Sequence, residues 1–305
     1  MNFERKRVLE KLERNVMKLD EKVEAVQKKV KKKVKKEVKG VKESLSKVNR
    51  DVDGMKVMMI QMFGKKSMRE DILIAGGDNS GKSTEIFAWD KNGWCELSPM
   101  NEEHKGASSF VYNDQVYVVG GWDSKTVDSL DLNQLPLKWK KHHGELPDEL
   151  ACHQTVAYQQ RVIHIGGINV LRCSDVISEL QLTPRVALKK LCNVPEPRFS
   201  HCAEIFEDKI VILGGDWKPL NSVLKFDVEK NECEEMPPLP RALTLMATVR
   251  WRDQVIVLGG YDEDHEVLND VFMYDWKTGK ITPLPSMLEK RCNCCAVITG
   301  NTIVV

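Results

Sequence analysis

Ile210-Val211-Ile212-Leu213-Gly214-Gly215 is a short apolar run that ends in two glycines. The same pattern occurs five times along the chain, and the five glycine pairs are Gly76-Gly77, Gly120-Gly121, Gly166-Gly167, Gly214-Gly215 and Gly259-Gly260. The first glycines of successive pairs are 44, 46, 48 and 45 residues apart. An apolar strand followed by glycine at this period is the signature of a β-propeller built from four-stranded blades.

The remainder of each period supplies the other strands of a blade. Between Gly120 and Gly166 the sequence predicts strands at residues 127–132, around Trp139 and at residues 153–158, separated by turn-forming residues. The run before each glycine pair is apolar on both faces, as expected of a middle strand packed between neighbouring blades. The glycines then allow a sharp turn where a Cβ would clash. The sequence therefore predicts an all-β propeller held by structural repeat glycines.

Further pieces repeat in step with the glycines. A strand of the type Val-x-x-aromatic-Asp follows them, and a Trp or an apolar residue precedes a proline, as at residues 86–90, 94–100, 223–227, 236–241 and 271–275. In these residues the chain from 71 to 305 resembles the kelch-repeat family, and this implies a kelch-type β-propeller. The third repeat departs from the family pattern, because Leu180 and Leu182 stand where the aromatic residue would be and no Trp follows.

The two ends of the repeat region differ from the middle. With strands labelled a to d outward from the central channel, the first repeat begins at strand b (residues 71–77) without a strand a. Residues 294–299 are predicted as a strand a and residues 302–305 as the start of a strand b. We therefore expect a six-bladed ring truncated in its last blade, in which a later segment supplies strand a of the first blade. A natural five-bladed ring with a stub is the alternative.

Residues 1–63 carry a different pattern, a heptad seam from residue 9 to 62 with one four-residue stutter near Val34. The seam is formed by Leu9, Leu12, Val16, Leu19, Val23, Val26, Val30, Val34, Val38, Val41, Leu45, Val48, Val52, Met55, Met59 and Met62. Such a seam predicts a long coiled-coil helix that needs a partner helix. A homodimer is the favoured assembly and a trimer the alternative. Residues 64–70 are predicted to be a linker.

Charge separates the two parts. Residues 1–63 hold 19 Lys and Arg against 10 Asp and Glu, and the remainder holds 27 against 35, so a basic helix precedes an acidic propeller. The densest stretch, residues 28–36, is interpreted as the solvated outer face of the coiled coil, with attraction to an anionic surface as the alternative. Nucleic-acid binding is not expected, since no aromatic residues interleave with these lysines.

Several absences limit the function classes. The sequence has no apolar run long enough to span a bilayer and no secretory signal, and its nine cysteines are an odd number without two C-x-x-C spacings that could pair. These features predict a cytoplasmic protein with reduced thiols. A metal site at Cys292, Cys294 and Cys295 is not expected, because residues adjacent on a strand point to opposite faces. No catalytic residue or cofactor is predicted.

One motif imitates a phosphate-binding loop. Residues 76–83 satisfy G-x-x-x-x-G-K-[ST], and that chemistry requires a helix next. Here residues 84–90 align with strands of the other repeats. We therefore interpret the match as a coincidence of the glycine pair.

Candidate binding residues lie in loops. In an antiparallel blade the b–c and d–a connections emerge on the same face, and loops on a rigid scaffold are where binding residues concentrate. Aromatic and arginine side chains there have the chemistry of interface hot spots. The candidates are Trp122, Trp217, Tyr261, Arg198, Arg241 and Arg291. For the aromatic residues, packing against the next blade is an equal alternative.

The resemblance implies two function classes. Proteins similar to this one act as substrate receptors for cullin ubiquitin ligases or as actin-associated cross-linkers, so we expect a protein-binding scaffold made bivalent by the coiled coil. The ligase receptors carry a BTB domain ahead of the repeats, where this sequence has the basic heptad pattern. This difference favours cross-linking or scaffolding over ubiquitin-ligase recruitment. The alternative class is a kelch-fold enzyme of the copper oxidase or sugar epimerase type.

Overall fold

The computed structural model describes residues 58–61, 71–77, 81–88, 93–300 and 302–305. The described part is all-β, and antiparallel four-stranded sheets recur five times. Blade 1 contains β1 (Met58–Gln61), β2 (Ile72–Ala75), β3 (Thr84–Ala88) and β4 (Gly93–Glu96). Blade 2 contains β5 (Ser108–Tyr112), β6 (Gln115–Val119), β7 (Val127–Asp131) and β8 (Trp139–Lys141). Blade 3 contains β9 (Gln154–Tyr158), β10 (Arg161–Ile165), β11 (Val176–Gln181) and β12 (Ala187–Asn193).

The second half of the propeller repeats this arrangement. Blade 4 contains β13 (Cys202–Phe206), β14 (Lys209–Leu213), β15 (Val223–Asp227) and β16 (Glu232–Met236). Blade 5 contains β18 (Ala247–Trp251), β19 (Gln254–Leu258), β21 (Val271–Asp275) and β22 (Ile281–Leu284), and the short strands β17 (Leu243–Thr244) and β20 (Tyr261–Asp262) pair beside it. The predicted five repeats of four strands are confirmed.

A two-stranded sheet follows blade 5. It consists of β23 (Val297–Thr299) and β24 (Thr302–Val304), which are the two strands predicted near the end of the sequence. The inner strands β1, β5, β9, β13 and β18 contact one another in order, and β23 contacts both β18 and β1. In the described part of the chain, six inner strands therefore surround the central channel.

Blade 1 differs from the sequence prediction. Its inner strand comes from directly upstream, because Met58 pairs with Ala75 and Gln61 pairs with Ile72. The sequence prediction continues the helix to residue 63 and assigns this strand to a later segment, and both points are wrong at residues 58–61. A short apolar run such as residues 57–60 fits a strand as well as a helix. Here it pairs an edge of β2 that would otherwise be left open.

The core lies between blades rather than within one. The strands before the glycines are buried on both faces, and Ile210, Ile212, Ile163 and Ile165 form one cluster between blades 4 and 3. Similar clusters join the other neighbouring blades. Leu180 of the divergent third repeat is also buried, so the blade keeps its packing without the aromatic residue.

Part of the sequence prediction falls elsewhere. The heptad seam before residue 58, the basic stretch 28–36 and the linker 64–70 lie outside the described residues. Among the residues that are described, no helix is long and apolar enough to cross a membrane.

Candidate partner-binding face

A ring of backbone hydrogen bonds defines one face of the propeller. One residue with a positive φ precedes each of five inner strands. It lies two residues before the inner strand in blades 2 to 5 and four residues before β23. These residues are Gly106, Cys152, Ser200, Leu245 and Asn293. We call them the mouth ring. Each of the last four donates its N–H to the carbonyl oxygen of the member before it, over 2.6, 2.7, 3.0 and 2.7 Å. The rim of the central channel is therefore fixed by main-chain bonds and is independent of side-chain identity.

The glycine pairs attach the b–c loops to this rim. The second glycine of each of blades 2 to 5 donates its N–H to a carbonyl oxygen of the following d–a connection, over 2.8 or 2.9 Å. The acceptors are Leu150, Arg198, Leu243 and Arg291. Both sets of loops therefore lie on one face, and we call it the loop face.

Arg198 is not available on the loop face. The side chain is fully buried, and its guanidinium donates to the carbonyl oxygen of Gly214 at 3.3 Å and to the hydroxyl of Ser222 at 3.2 Å. The Ser222 hydroxyl donates in turn to Glu196 at 3.2 Å. The prediction of Arg198 as a partner-binding residue is therefore wrong, because the buried guanidinium ties the d–a connection between blades 3 and 4 to strands b and c of blade 4.

The other two arginines are half-exposed but already paired. Arg241 lies 3.7 Å from Asp262 and 3.4 Å from Asp270, and Arg291 lies 3.3 Å from Glu289. Surface pairs of this kind contribute little stability and can exchange partners. Both arginines remain accessible candidates on the loop face.

The three predicted aromatic residues, like the arginines, differ in how accessible they are to a partner. Trp122 packs its indole against Gly106, where a Cβ would come within 3.1 Å, and Tyr261 is partly buried in β20. Trp217 instead exposes 73% of its surface and touches Phe199 edge-on, with ring centroids 5.1 Å apart. Trp217 is thus the predicted aromatic residue most open to a partner.

Sequence reasoning missed the loop next to Trp217. Val170 and Leu171, in the b–c connection of blade 3, are 84% and 90% exposed. The Asn169 side chain accepts the N–H groups of Leu171 and Arg172 at 2.9 and 2.8 Å, which orders the tip. Two consecutive apolar residues in a predicted loop were the available signal.

A layer of histidines lies beneath the rim. His153, His164 and His201 are buried, and the rings of His153 and His164 are 4.4 Å apart. Burial lowers the pKa of His164 to about 4. Burial also lowers the pKa of His153 and of His201 well below the usual value, helped by neighbouring His164 in the first case and by the charge of Arg198 in the second. These histidines are therefore neutral at pH 7.

The channel itself opens as a cavity of about 250 Å³, bordered by the starts of the inner strands of blades 2 to 5 and by residues 293–296. Glu204 lines it and accepts a hydrogen bond from the hydroxyl of Thr248 at 2.7 Å. Burial raises the pKa of Glu204 to about 7, although the Thr248 bond and the charge of Arg250 act in the opposite direction.

A strand directly follows residues 76–83, which match the phosphate-binding-loop pattern. Residues 84–88 form strand β3, as the repeat alignment predicts. The Lys82 ammonium donates to the carbonyl oxygen of Asn101 at 2.8 Å, and Ser83 donates to that of Gly76 at 3.3 Å. The helix N-terminus that would hold phosphates is replaced by this strand. In the described part of the chain, no three His, Cys, Asp or Glu side chains are grouped to hold a metal ion.

Comparison with known proteins agrees with this architecture. A family model described as "Kelch motif" matches residues 197–240 and 243–288, which correspond to blades 4 and 5. The chain is 24% identical over 243 residues to Kelch-like protein 35 of Mus musculus, a match that covers 75% of this chain and 39% of the relative.

Two further relatives show the same extent of similarity. Kelch domain-containing protein 10 of Xenopus tropicalis is 25% identical over 226 residues, covering 66% of this chain and 54% of the relative. Kelch repeat protein M-T8 of Myxoma virus is 20% identical over 215 residues, covering 66% and 41%. The matched region thus amounts to about two fifths to one half of the length of these relatives.

Proposed function

Because the chain belongs to the kelch-repeat family, we propose that it is a binding scaffold whose loop face docks a partner protein. The observation that carries this proposal is the exposure of Leu171 and Trp217 at the tips of b–c loops in adjacent blades. Large apolar side chains held in the open by ordered loops are typical of interaction sites. The similarity to kelch-like proteins supports binding over the enzyme alternative.

The side chains beside Leu171 and Trp217 indicate which side chains the partner presents. Each exposed apolar residue is followed by an exposed cation, Arg172 after Leu171 and Lys218 after Trp217. Arg172 has only a long pairing of 4.0 Å with Asp148. We infer that the partner presents apolar side chains flanked by carboxylates, with apolar contacts giving affinity and charge giving orientation.

Replacing Trp217 tests the docking surface. We expect Trp217→Ala to weaken partner capture by about tenfold or more, because truncating an aromatic hot spot costs at least about 2 kcal/mol. The measurement is quantitative affinity capture with the full chain as bait, followed by mass spectrometry. Trp94→Ala is the matched control, since Trp94 is 53% exposed and also packs on a phenylalanine, but lies on the outer strand of blade 1.

The two tryptophan variants should differ. Recovery of the same proteins in the same amounts by wild type and by Trp217→Ala would place the partner elsewhere on the propeller. Equal losses in both variants would indicate general damage to the fold, which thermal unfolding of each variant reveals independently.

We further propose that the heptad seam before strand β1, residues 9–55, joins two chains, giving a bivalent cross-linker or scaffold in the cytoplasm. Two propellers on one dimer would convert a weak contact on each face into avid binding to a repetitive partner. A filament such as the actin cytoskeleton is one repetitive partner of this kind, and ubiquitin-ligase recruitment is the other role that the resemblance suggests.

A charge in the seam tests this assembly. We expect Val23→Asp to convert a dimer into a monomer in analytical ultracentrifugation, because a carboxylate between paired helices stays desolvated unless the chains separate. Ala25→Asp makes the same charge change off the seam and should leave the dimer intact. Wild-type protein that sediments as a monomer at tens of micromolar would overturn the coiled-coil proposal.

A further inference from the structure

Glu204 occupies a position that is apolar in the other inner strands. The residues at the same place in the inner strands of blades 2, 3 and 5 and in β23 are Phe110, Val156, Val249 and Val297, and all four are buried. Across the neighbouring interfaces Val156 packs in a cluster with Ala203, and Val249 packs in a cluster with Ala296. Between blades 4 and 5 these apolar pairs are replaced by Glu204 and Thr248, which are joined by the 2.7 Å hydrogen bond.

Among the described residues, the carboxylate of Glu204 is not part of an ion pair. Thr248 is its one hydrogen-bond donor among these residues, and Arg250 acts on it only through its charge. The guanidinium of Arg250 donates to the carbonyl oxygen of Ile205 at 2.7 Å and lies 4.8 Å from the ring centroid of Phe206. A carboxylate in such a place is costly when ionised unless an opposite charge joins it.

Two histidines and two cysteines beside the channel are kept uncharged. His153 and His201 border the cavity and are kept uncharged by burial. Burial also raises the pKa of the thiols of Cys202 and Cys294. Glu204 is thus the one acidic residue that borders the described cavity.

The cavity is large enough for an organic group. Its volume is about 250 Å³, whereas roughly 150 Å³ is sufficient to accommodate benzene in a protein interior. It opens within the mouth ring, whose backbone bonds keep the entrance in place. A short alkyl chain ending in a charged nitrogen would fit both its size and its mixture of apolar and polar walls.

We propose that the central channel binds a single alkylammonium or guanidinium group, with the carboxylate of Glu204 as its counter-ion. The group can be a free small amine or the end of a Lys or Arg side chain that a partner inserts through the mouth ring. This site goes beyond the docking surface, and its chemistry depends on neither Trp217 nor Leu171.

The test uses the full chain and two probes, butylamine and Nα-acetyl-lysine methylamide, with butanol as the uncharged comparison. Titrations are followed by the NMR shift of the Thr248 methyl group. We expect both amines to bind and butanol not to bind at the same concentrations. Glu204→Gln, which keeps a hydrogen-bond acceptor for Thr248, should lower amine affinity by about tenfold or more, as loss of a charged hydrogen bond does. Thr248→Val keeps the carboxylate and should retain binding, followed in that variant by the methyl groups of the new valine.

The outcomes separate the sources of the cation. Binding of butylamine alone supports a free amine, and binding of both probes supports an inserted side chain. No shift with either amine, or equal affinities for wild type and Glu204→Gln, would overturn the site. If Glu204→Gln does not fold, the wild-type pH dependence decides: amine affinity should fall as pH drops through about 7, and a constant affinity contradicts the proposal. Trp217→Ala should bind the amines normally, so failure of the docking surface and failure of the channel site are distinguishable.

Discussion

Gly166→Ala is expected to destabilise the propeller by about 3 to 5 kcal/mol, one of the largest effects of any single methyl group in this chain. Gly166 has φ +58°, which costs an L-residue about 1 to 2 kcal/mol. An added Cβ would also overlap the carbonyl oxygen of Arg198, which is held by the N–H of Gly167 at 2.9 Å. Moving that carbonyl would pull the d–a connection away from the b–c loop that begins at Gly166 and Gly167.

Gly300 provides the matched control. Its φ is also +58°, but nothing lies within 4 Å of the position that its Cβ would take. Gly300→Ala should therefore cost only the conformational part, about 1 to 2 kcal/mol. Urea unfolding of both variants gives the comparison. Equal losses would show that backbone conformation alone, and not the contact with the d–a loop, explains the repeated glycines.

This steric requirement explains why the fold was predictable from the sequence. Each glycine pair has a positive φ, which other residues rarely adopt, so the pair recurs wherever a blade passes from strand b to the loop face. Strands β23 and β24 were also predictable, because they repeat the pattern of the blades before them. One apolar run ending in glycines is a weak signal, but its repetition at a constant period predicts the position of every blade.

The errors arose where one residue type serves two roles. Arg198 has the chemistry of an interface residue, yet its hydrogen bonds to Gly214 and Ser222 hold the preceding d–a connection to blade 4, and only the three-dimensional structure separates these roles. At residues 58–61 the apolar run fits both the heptad seam and a strand, and pairing with β2 decides for the strand. Neither choice is encoded in the local sequence.

The channel site could not be predicted from the sequence for a related reason. Glu204 is an acidic residue in a strand, which by itself indicates a solvent-facing position. Its significance appears only when the inner strands are superimposed and the other positions prove apolar. Exposed Leu171 could have been noticed earlier, since two adjacent apolar residues in a loop are unusual enough to mark a surface.

The second large effect is expected at His164. Its position in strand b is occupied by Ile74, Val118, Ile212 and Val257 in the other blades, so His164→Ile introduces a side chain that the fold already accepts. Near pH 8 the variant should be about as stable as wild type. As the pH is lowered from 6.5 to 4, wild type should lose about 3 kcal/mol relative to His164→Ile, measured by urea unfolding at each pH.

The sign of this effect is set by the depressed pKa. The folded chain keeps His164 neutral down to about pH 4, whereas the unfolded chain takes up a proton near 6.5, so acid favours unfolding across this window. Glu204 acts oppositely, because a raised pKa lets the folded chain bind a proton first, but it is present in both proteins and cancels. His153, 4.4 Å from His164, is the main coupled group, and removing its neighbour should ease its own protonation, adding to the acid tolerance of the variant. Parallel stability curves for the two proteins from pH 8 to 4 would mean that His164 is protonated in the fold or hydrated within it.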